Sequence, residues 1–203
     1  MIRRTLSSDR GQTLPIYIWV TGILLFVAFA FFAFAQAASA RNGAQSAADA
    51  AALAAAQSAR DDLMDGLETA LIGADDTWLD WLDGDPDVGD GATAAAQDLA
   101  AQNDATVLGG AVPTNLGGFP GYEVAIETNY KVGDTIIPGT EDQSATADAA
   151  AVIEPRCDVP PGADPTQLVT LDCNGQPVDI DPVDFNPADL PDASVLFSVY
   201  LAE

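Results

Sequence analysis

The sequence predicts an α+β protein in which a single N-terminal transmembrane helix continues into a long Ala-rich helix, followed by a small antiparallel-sheet exported domain. Three observations predict this class. Residues 13–35 contain no charged side chain, residues 36–60 are rich in alanine and contain no proline, and apolar residues alternate with others from Tyr122 onward. An uncharged run of this length can span a bilayer as a helix, alanine has the highest helix propensity, and alternation is typical of half-buried strands.

The uncharged run is long enough to anchor the chain in a membrane. At about 1.5 Å per residue, residues 13–35 form a helix of roughly 34 Å, which crosses the hydrocarbon core of a bilayer. Arg3, Arg4 and Arg10 precede this run, and the chain beyond it is acidic. The positive-inside rule therefore predicts a single-pass protein of the cell membrane, with a cytoplasmic N-terminus and an extracytoplasmic C-terminal domain.

Two other interpretations of the N-terminus remain open. The A-x-A sequence at residues 33–35 could be a signal-peptidase site, although the apolar run is longer than the 7–15 residues of a secretory signal. The Arg3-Arg4 pair could belong to a twin-arginine signal, but the residues that follow it give little support. We treat the pair as ordinary inside-positive charge.

The composition excludes several classes of function. The formal net charge is −24, and an acidic surface of this strength repels nucleic acid. The chain has no histidine, which excludes Ser-His-Asp and Cys-His catalysis and His-ligated zinc. Its one lysine, Lys131, leaves little room for Schiff-base or P-loop chemistry. We therefore expect no enzyme activity and no cofactor, whereas paired Asp or Glu residues of a hydrolase cannot be recognised from sequence alone.

The two cysteines predict one structural disulfide. Cys157 and Cys173 both lie on the expected exported side, where the compartment is oxidising. A disulfide closing this loop contributes roughly 3 kcal/mol in the chain-entropy model. A catalytic thiol and a metal site formed with nearby carboxylates are the alternatives, but no histidine is present to activate a thiol.

The Ala-rich segment predicts that the membrane helix continues without interruption. The expected helix runs from Leu14 to about Leu71, and Asn42-Gly43 is the one place where a kink or break could fall. Larger apolar residues then recur at helical spacing: Met64, Leu67, Leu71, Ala74, Trp78 and Trp81. Either Asp75 or Asp76 could cap a short second helix. We favour a core-facing stripe, and an aromatic contact with a partner subunit is the alternative.

A Gly/Asp-rich linker ends the helical region. Asp83, Asp85 and Asp87 begin like a calcium loop, but Val88 and Ala94 stand where an EF-hand requires Gly and Glu. A solvated linker is favoured, and weak binding of a divalent cation remains a hypothesis. A short helix-prone segment follows at residues 92–104.

The remaining chain predicts one antiparallel sheet of roughly four to six short strands. Besides the strand around Tyr122–Glu127, the candidates are 106–112, 130–137, 145–153, 168–173 and 194–201. Residues 117–121 read as a turn, and Asn174-Gly175 is a two-residue hairpin signal that places Cys173 at a strand end. Residues 179–192 are rich in Pro and Asp and predict an irregular loop. The expected regions are a basic segment (1–12), the membrane helix (13–35), an Ala-rich helix region (36–83), a linker with a short helix (84–121) and a β-rich acidic domain (122–203).

Two sequences near the membrane run carry a family resemblance. Arg10-Gly-Gln-Thr-Leu-Pro leads into the span, and Gln45-Ser-Ala-Ala-Asp-Ala-Ala-Ala-Leu-Ala-Ala follows it. Together they resemble the TadE/TadG-like family of Flp (tight-adherence) pilus-assembly proteins, and the resemblance covers about residues 9–60. The order of one long helix followed by strands is similar to that of pilins and pseudopilins.

The resemblance implies a pilin-like subunit or accessory factor of an envelope machine. It also implies a processing site between Gly11 and Gln12, the position of prepilin-peptidase cleavage in related proteins. Type IV pilins carry Glu five residues after the cut, where this chain has Ile16, and Pro15 lies just inside the helix.

The same resemblance implies an assembly motif after the span. Its residues are Gln45, Ala47, Ala48, Asp49, Ala50, Ala51, Ala52 and Leu53. Small residues let two helices approach closely, which suits lateral assembly. The alternative is a plain stalk in which alanine supplies helix propensity alone. Arg41 and Asp49 could pair across subunits, although an exposed ion pair contributes little.

The leading interpretation is a non-enzymatic, pilin-like or accessory component of a Tad/Flp pilus or related secretion apparatus. Its expected partners are the lipid bilayer and other pilus or secretion-apparatus subunits. Nucleic acid is not expected as a partner. The alternative is a membrane-tethered envelope module that binds a cation or a cell-wall ligand.

Overall fold

The computed structural model describes residues 13–84, 89–131 and 142–202. One long helix is followed by short helices and two antiparallel sheets, so the predicted α+β class is confirmed. The helices are α1 (Thr13–Ile72), α2 (Ala92–Gln102) and α3 (Ala193–Leu196), with 3₁₀ helices at Trp78–Asp83 and Pro187–Asp189. The strands are β1 (Ala105–Leu116), β2 (Phe119–Thr128), β3 (Thr146–Pro155), β4 (Cys157–Asp158), β5 (Val169–Cys173), β6 (Gln176–Ile180) and β7 (Phe197–Ala202).

Helix α1 is continuous over 60 residues, as the sequence predicts. At about 1.5 Å per residue it is roughly 90 Å long. The helix does not break at Asn42-Gly43, because both residues are helical within α1. The Gly43 site is instead filled by a side chain from elsewhere in the chain, since a Cβ built there would overlap the hydroxyl of Tyr130.

The strands form two sheets, which corrects the prediction of one. The four-stranded sheet has the order β1-β2-β3-β7, and the three-stranded sheet has the order β4-β5-β6. In the described part of the chain, neighbouring strands are antiparallel throughout. The second sheet is separate because β4 pairs with β5 and not with the four-stranded sheet.

The four-stranded sheet carries α1 and α2 on one face. Helix α1 packs against α2, β2 and β3. Two contacts show that the axis of α1 is nearly parallel to β2. Tyr130, just after β2, contacts α1 at Gly43, and Tyr122 of β2 lies near Ala59 of α1, where both residues approach Gly89. These two contacts are about 24 Å apart along the helix and about 26 Å apart along an extended strand.

The core lies between the C-terminal half of α1 and the inner face of the four-stranded sheet. Leu63, Leu67 and Leu71 of α1 are buried together with Trp78 and with Val124 and Ile126 of β2. The core-facing interpretation of the predicted stripe is therefore right for Leu67, Leu71 and Trp78. Met64 and Trp81 are partly buried at the edge of this core, and Ala74 is exposed.

Several predicted element boundaries need correction. Strand β7 begins at Phe197 rather than at Ser194, because the Asp192 carboxylate accepts hydrogen bonds from the Ser194 amide and hydroxyl and caps α3. Residues 119–121 belong to β2, and the turn is Gly117-Gly118, both with positive φ. Asp179 and Ile180 lie in β6, so the irregular loop begins at residue 181.

Two further predictions concern residues around the linkers. Neither Asp75 nor Asp76 is the N-cap of the helix at Trp78–Asp83. That position is Thr77, whose side chain makes no capping hydrogen bond to the helix. Tyr130 and Lys131 are not in a strand, and residues 132–137 of that candidate lie outside the described residues. The region boundaries at residues 36, 84 and 122 remain predictions.

Candidate membrane and assembly site

The N-terminal half of α1 is an apolar rod with little protein packed against it. Residues 14–32 are exposed throughout, and the large side chains among them include Trp19, Phe26 and Phe31. Within the described residues, α1 is the one helix long and apolar enough to cross a membrane by length and composition. Such a surface is unfavourable in water and favourable in hydrocarbon.

The C-terminal half of α1 is built into the domain through small side chains. Ala44, Ala47, Ala48, Ala51, Ala52, Ala55, Ala56 and Ala59 are buried and belong to the same core cluster. Alanine at these positions lets α2 and the sheet approach the α1 backbone closely, which is the packing advantage of small residues. Within a single chain, this inner face of the motif is therefore already occupied.

The predicted assembly motif is divided between the two faces of α1. Ala47, Ala48, Ala51 and Ala52 are buried, Asp49, Ala50 and Leu53 are partly exposed, and Gln45 is exposed. The Gln45 amide nitrogen donates to Asp49 Oδ1 at 2.8 Å and to the Asp148 carbonyl at 3.3 Å. These polar residues hold the start of the motif to β3. Contact with another subunit through the motif remains a prediction.

Gly43 marks the place where the domain begins on α1. The Tyr130 ring lies against it, and the Tyr130 hydroxyl is 3.5 Å from the Ala40 carbonyl oxygen. Only glycine leaves room for this ring on the helix surface. Sequence reasoning identified Gly43 as a possible break, whereas its role as a packing site depends on a residue 87 positions away and has no local signal.

The predicted disulfide is present, and it braces the smaller sheet. Cys157 of β4 is bonded to Cys173 of β5, its direct cross-strand partner. The predicted Asn174-Gly175 hairpin follows at once and joins β5 to β6, with φ values of 54° and 82°. Because both cysteines are bonded, neither offers the free thiol that the catalytic alternative needs.

The remaining predicted site residues are not brought together by the described structure. Gly11 and Gln12 lie outside the described residues, as do Asp85 and Asp87 of the calcium-loop hypothesis. Asp83 ends a 3₁₀ helix and is exposed. Among the described residues, His, Cys, Asp and Glu side chains form no group of three or more that could hold a metal ion.

Three exposed carboxylates are held by turns in their charged form. Hydrogen bonds from Thr77 lower the pKa of Asp75, those from Thr166 lower the pKa of Asp164, and those from Ser194 lower the pKa of Asp192. Each of these aspartates accepts hydrogen bonds from the amide and the hydroxyl of the residue two positions later. Such interactions favour the ionised carboxylate.

Comparison with known proteins adds one finding. The model of the TadE/G-like Flp pilus-assembly family matches residues 11–58. No curated protein and no solved structure matches the chain significantly. The matched segment contains the exposed apolar half of α1 and the alanines that pack into the domain as far as Ser58. The match confirms the resemblance predicted from the residues, and it covers residues 11–58, about a quarter of the chain.

Proposed function

We propose that the chain is a membrane-anchored, non-enzymatic accessory component of a Flp pilus or a related secretion apparatus. Residues 13–35 cross the bilayer, residues 1–12 face the cytoplasm, and the sheets lie on the extracytoplasmic side. One observation carries the proposal. The family-matched helix is exposed and apolar over its first half and forms the core of an acidic domain over its second half.

The chemistry of the chain supports a structural role. It contains no histidine, and both cysteines are committed to the disulfide. Function then depends on surfaces that meet other proteins. Because the inner alanines of α1 pack within the chain, partner subunits contact the exposed side of α1 in and near the motif, where Gln45, Ser46 and Gln57 lie.

Cysteine labelling tests the orientation. The two native cysteines are disulfide-bonded, so Ser8→Cys and Gln57→Cys each introduce a single free thiol into the full-length protein. In intact cells with a permeabilised outer envelope, a membrane-impermeant maleimide should label the variant at position 57 and not the one at position 8. Labelling at position 8 alone would reverse the proposed topology.

Mass spectrometry of the native N-terminus tests the processing site. A start at Gln12 would identify a processed, pseudopilin-like protein, and a start at Met1 would identify a permanent anchor. Both results agree with the proposal, whereas a start at Gln36 would describe a secreted protein and contradict it. Deleting the gene should also reduce Flp filaments in electron micrographs, and full-length chain supplied in trans should restore them.

A cation-binding envelope module is the second hypothesis that the sequence leaves open. It depends on Asp83, Asp85 and Asp87, two of which lie outside the described residues. Isothermal titration of the detergent-solubilised chain with calcium separates the two functions. A saturable heat that disappears in an Asp83→Asn variant would favour the second hypothesis.

A further inference from the structure

An open groove lies at the end of α1 that is farthest from the apolar span. It has a volume of about 550 Å³ and is formed between the last turns of α1 and the following 3₁₀ helix. The lining residues are Asp65, Gly66, Thr69, Ala70, Gly73, Asp75 and Trp81. The groove therefore combines one aromatic ring, small residues and two carboxylates.

Trp81 forms the aromatic wall because α1 has a glycine opposite it. A Cβ built on Gly66 would overlap the ring atoms Cζ3, Cε3 and Cη2 of Trp81. The ring thus lies directly against the helix backbone. Trp78, three residues earlier, is fully buried and donates its indole N–H to the Pro165 carbonyl at 2.9 Å, whereas Trp81 is only partly buried.

Two carboxylates in the groove have no cationic partner in the described residues. Asp65 and Asp75 are exposed, and the ion pair found among those residues joins Arg60 to Asp61 instead. Asp75 Oδ1 accepts hydrogen bonds from the Thr77 amide at 3.0 Å and the Thr77 hydroxyl at 2.9 Å. These bonds fix the orientation of the carboxylate and leave its second oxygen available to a ligand.

The end of α1 adds further negative potential to the groove. The Asp75 amide donates to the Ala70 carbonyl and the Ala74 amide donates to the Leu71 carbonyl, which is the pattern of a Schellman motif. The last turn of α1 contains no basic residue to offset the negative end of the helix dipole. A cation at this place would meet a tryptophan, two carboxylates and the carbonyl end of a helix.

We propose that this groove binds an arginine side chain presented by a partner protein. Guanidinium stacks on the face of tryptophan and donates hydrogen bonds to carboxylates, so one side chain satisfies both features of the groove. Gly66 is 31 residues beyond Ala35, which places the groove about 45 Å from the apolar span. At that distance, many Debye lengths from a headgroup, the occupant is a protein segment and not the bilayer surface.

Indole NMR of the full-length chain in detergent micelles tests the proposal. The chain has three tryptophans, so ¹⁵N-labelled indole groups give separate signals for Trp19, Trp78 and Trp81. The probe is a blocked Gly-Arg-Gly tripeptide, and the control is the same peptide with neutral citrulline. The arginine peptide should shift the Trp81 signal saturably and leave Trp78 unchanged, and citrulline should bind at least about fivefold more weakly.

Two groove variants and one control variant distinguish binding in the groove from a general effect of acidic charge. Asp65→Asn with Asp75→Asn removes both carboxylates and should weaken the arginine peptide about fivefold. Gly66→Ala keeps the charges but pushes the Trp81 ring away from the helix, and it should also abolish the saturable shift. An Asp61→Asn variant changes the net charge outside the groove and should bind normally. Equal shifts with arginine and citrulline, no shift of Trp81, or unchanged binding in the Gly66→Ala variant would overturn the proposal.

Discussion

The two halves of α1 share one backbone and face different environments. From Leu14 to Phe34 the helix carries large apolar and aromatic side chains that the rest of the chain leaves exposed. From Ala44 to Ala59 it carries mainly alanine, and most of these side chains are fully buried. Large side chains therefore stand where lipid is the expected neighbour, and small ones stand where other protein elements approach.

This difference shows that side-chain size has a different role in each half of α1. In the C-terminal half of α1, small residues let α2 and the sheet pack against the helix backbone. Larger residues farther along the helix, such as Leu67, complete the core. In the N-terminal half, the large side chains form a hydrophobic surface that the other described elements leave exposed. The same substitution should therefore have different consequences in the two halves, and the following experiments use matched pairs.

The largest effect is expected from removing a buried leucine. Leu67→Ala leaves a cavity in the buried core that also contains Trp78, and it should lower the free energy of unfolding of the domain by about 3 kcal/mol. Leu24→Ala, in the exposed half, should leave this quantity within about 0.5 kcal/mol of the parent. Urea unfolding in micelles, followed by near-ultraviolet circular dichroism, measures both. An equal loss in the two variants would contradict the division of the helix.

Enlarging an alanine should give the next largest effect. Ala51 is fully buried, so Ala51→Leu forces α1 away from its neighbours and should cost about 2 kcal/mol. Ala38 is exposed between the two halves, and Ala38→Leu should be nearly neutral. The same unfolding experiment compares them. A stable Ala51→Leu variant would mean that the small residues supply only helix propensity, as in the stalk interpretation.

Replacing glycine residues tests whether the domain begins on α1 at Gly43. Gly43→Ala displaces the Tyr130 ring, and despite the gain in helix propensity it should destabilise the domain by about 1 kcal/mol. Gly22→Ala meets no other atoms within 4 Å and should not affect the domain. Combining Gly43→Ala with Tyr130→Ala should recover most of the loss. If the double variant is no better than Gly43→Ala alone, the ring is not the cause.

Acidification should lower the stability of the domain alone, and this is the smallest of the expected effects. The folded-state pKa values of Asp75, Asp164 and Asp192 are lowered, so their stabilising contribution is present above the unfolded value near 3.9 and is lost as pH falls through the folded values. Unfolding measured from pH 7 to pH 3 should therefore show constant stability down to about pH 5 and a decline below it. Residues 13–35 contain no carboxylate, so far-ultraviolet helicity from that half should persist. An Asp164→Asn variant should show a shallower decline.

Local sequence signals predicted the parts of the fold that depend on local chemistry. The uncharged run at residues 13–35 and the Ala-rich, proline-free run at residues 36–60 predicted α1, and Asn174-Gly175 predicted the β5–β6 hairpin beside Cys173. The alternation of Tyr122, Val124 and Ile126 predicted the buried face of β2. In each case propensity, turn chemistry or periodicity acts over a few residues, and the tertiary structure agrees with it.

Most of what the sequence did not predict depends on residues that are distant along the chain. The helix was predicted to continue through Gly43, but the packing of Tyr130 against this glycine could not be predicted because the two residues are 87 positions apart. Trp78 and Trp81 belonged to one predicted stripe, yet only Trp81 meets Gly66 and lines a groove. Residues 194–196 were predicted as a strand, but the neighbouring Asp192 carboxylate caps a short helix there, a local signal that outweighs their strand propensity.

The unbroken passage of α1 from the apolar run into the domain has a consequence for rotation. A continuous helix turns by about 100° per residue, so the face of the span and the face of the domain have a fixed angular phase. Inserting one residue between Gln36 and Ser39 would swing the domain by about 100° around the helix axis, whereas inserting seven would nearly restore its direction. Chains that assemble through both the bilayer and the domain would therefore tolerate length changes in this segment only in steps close to whole helical turns.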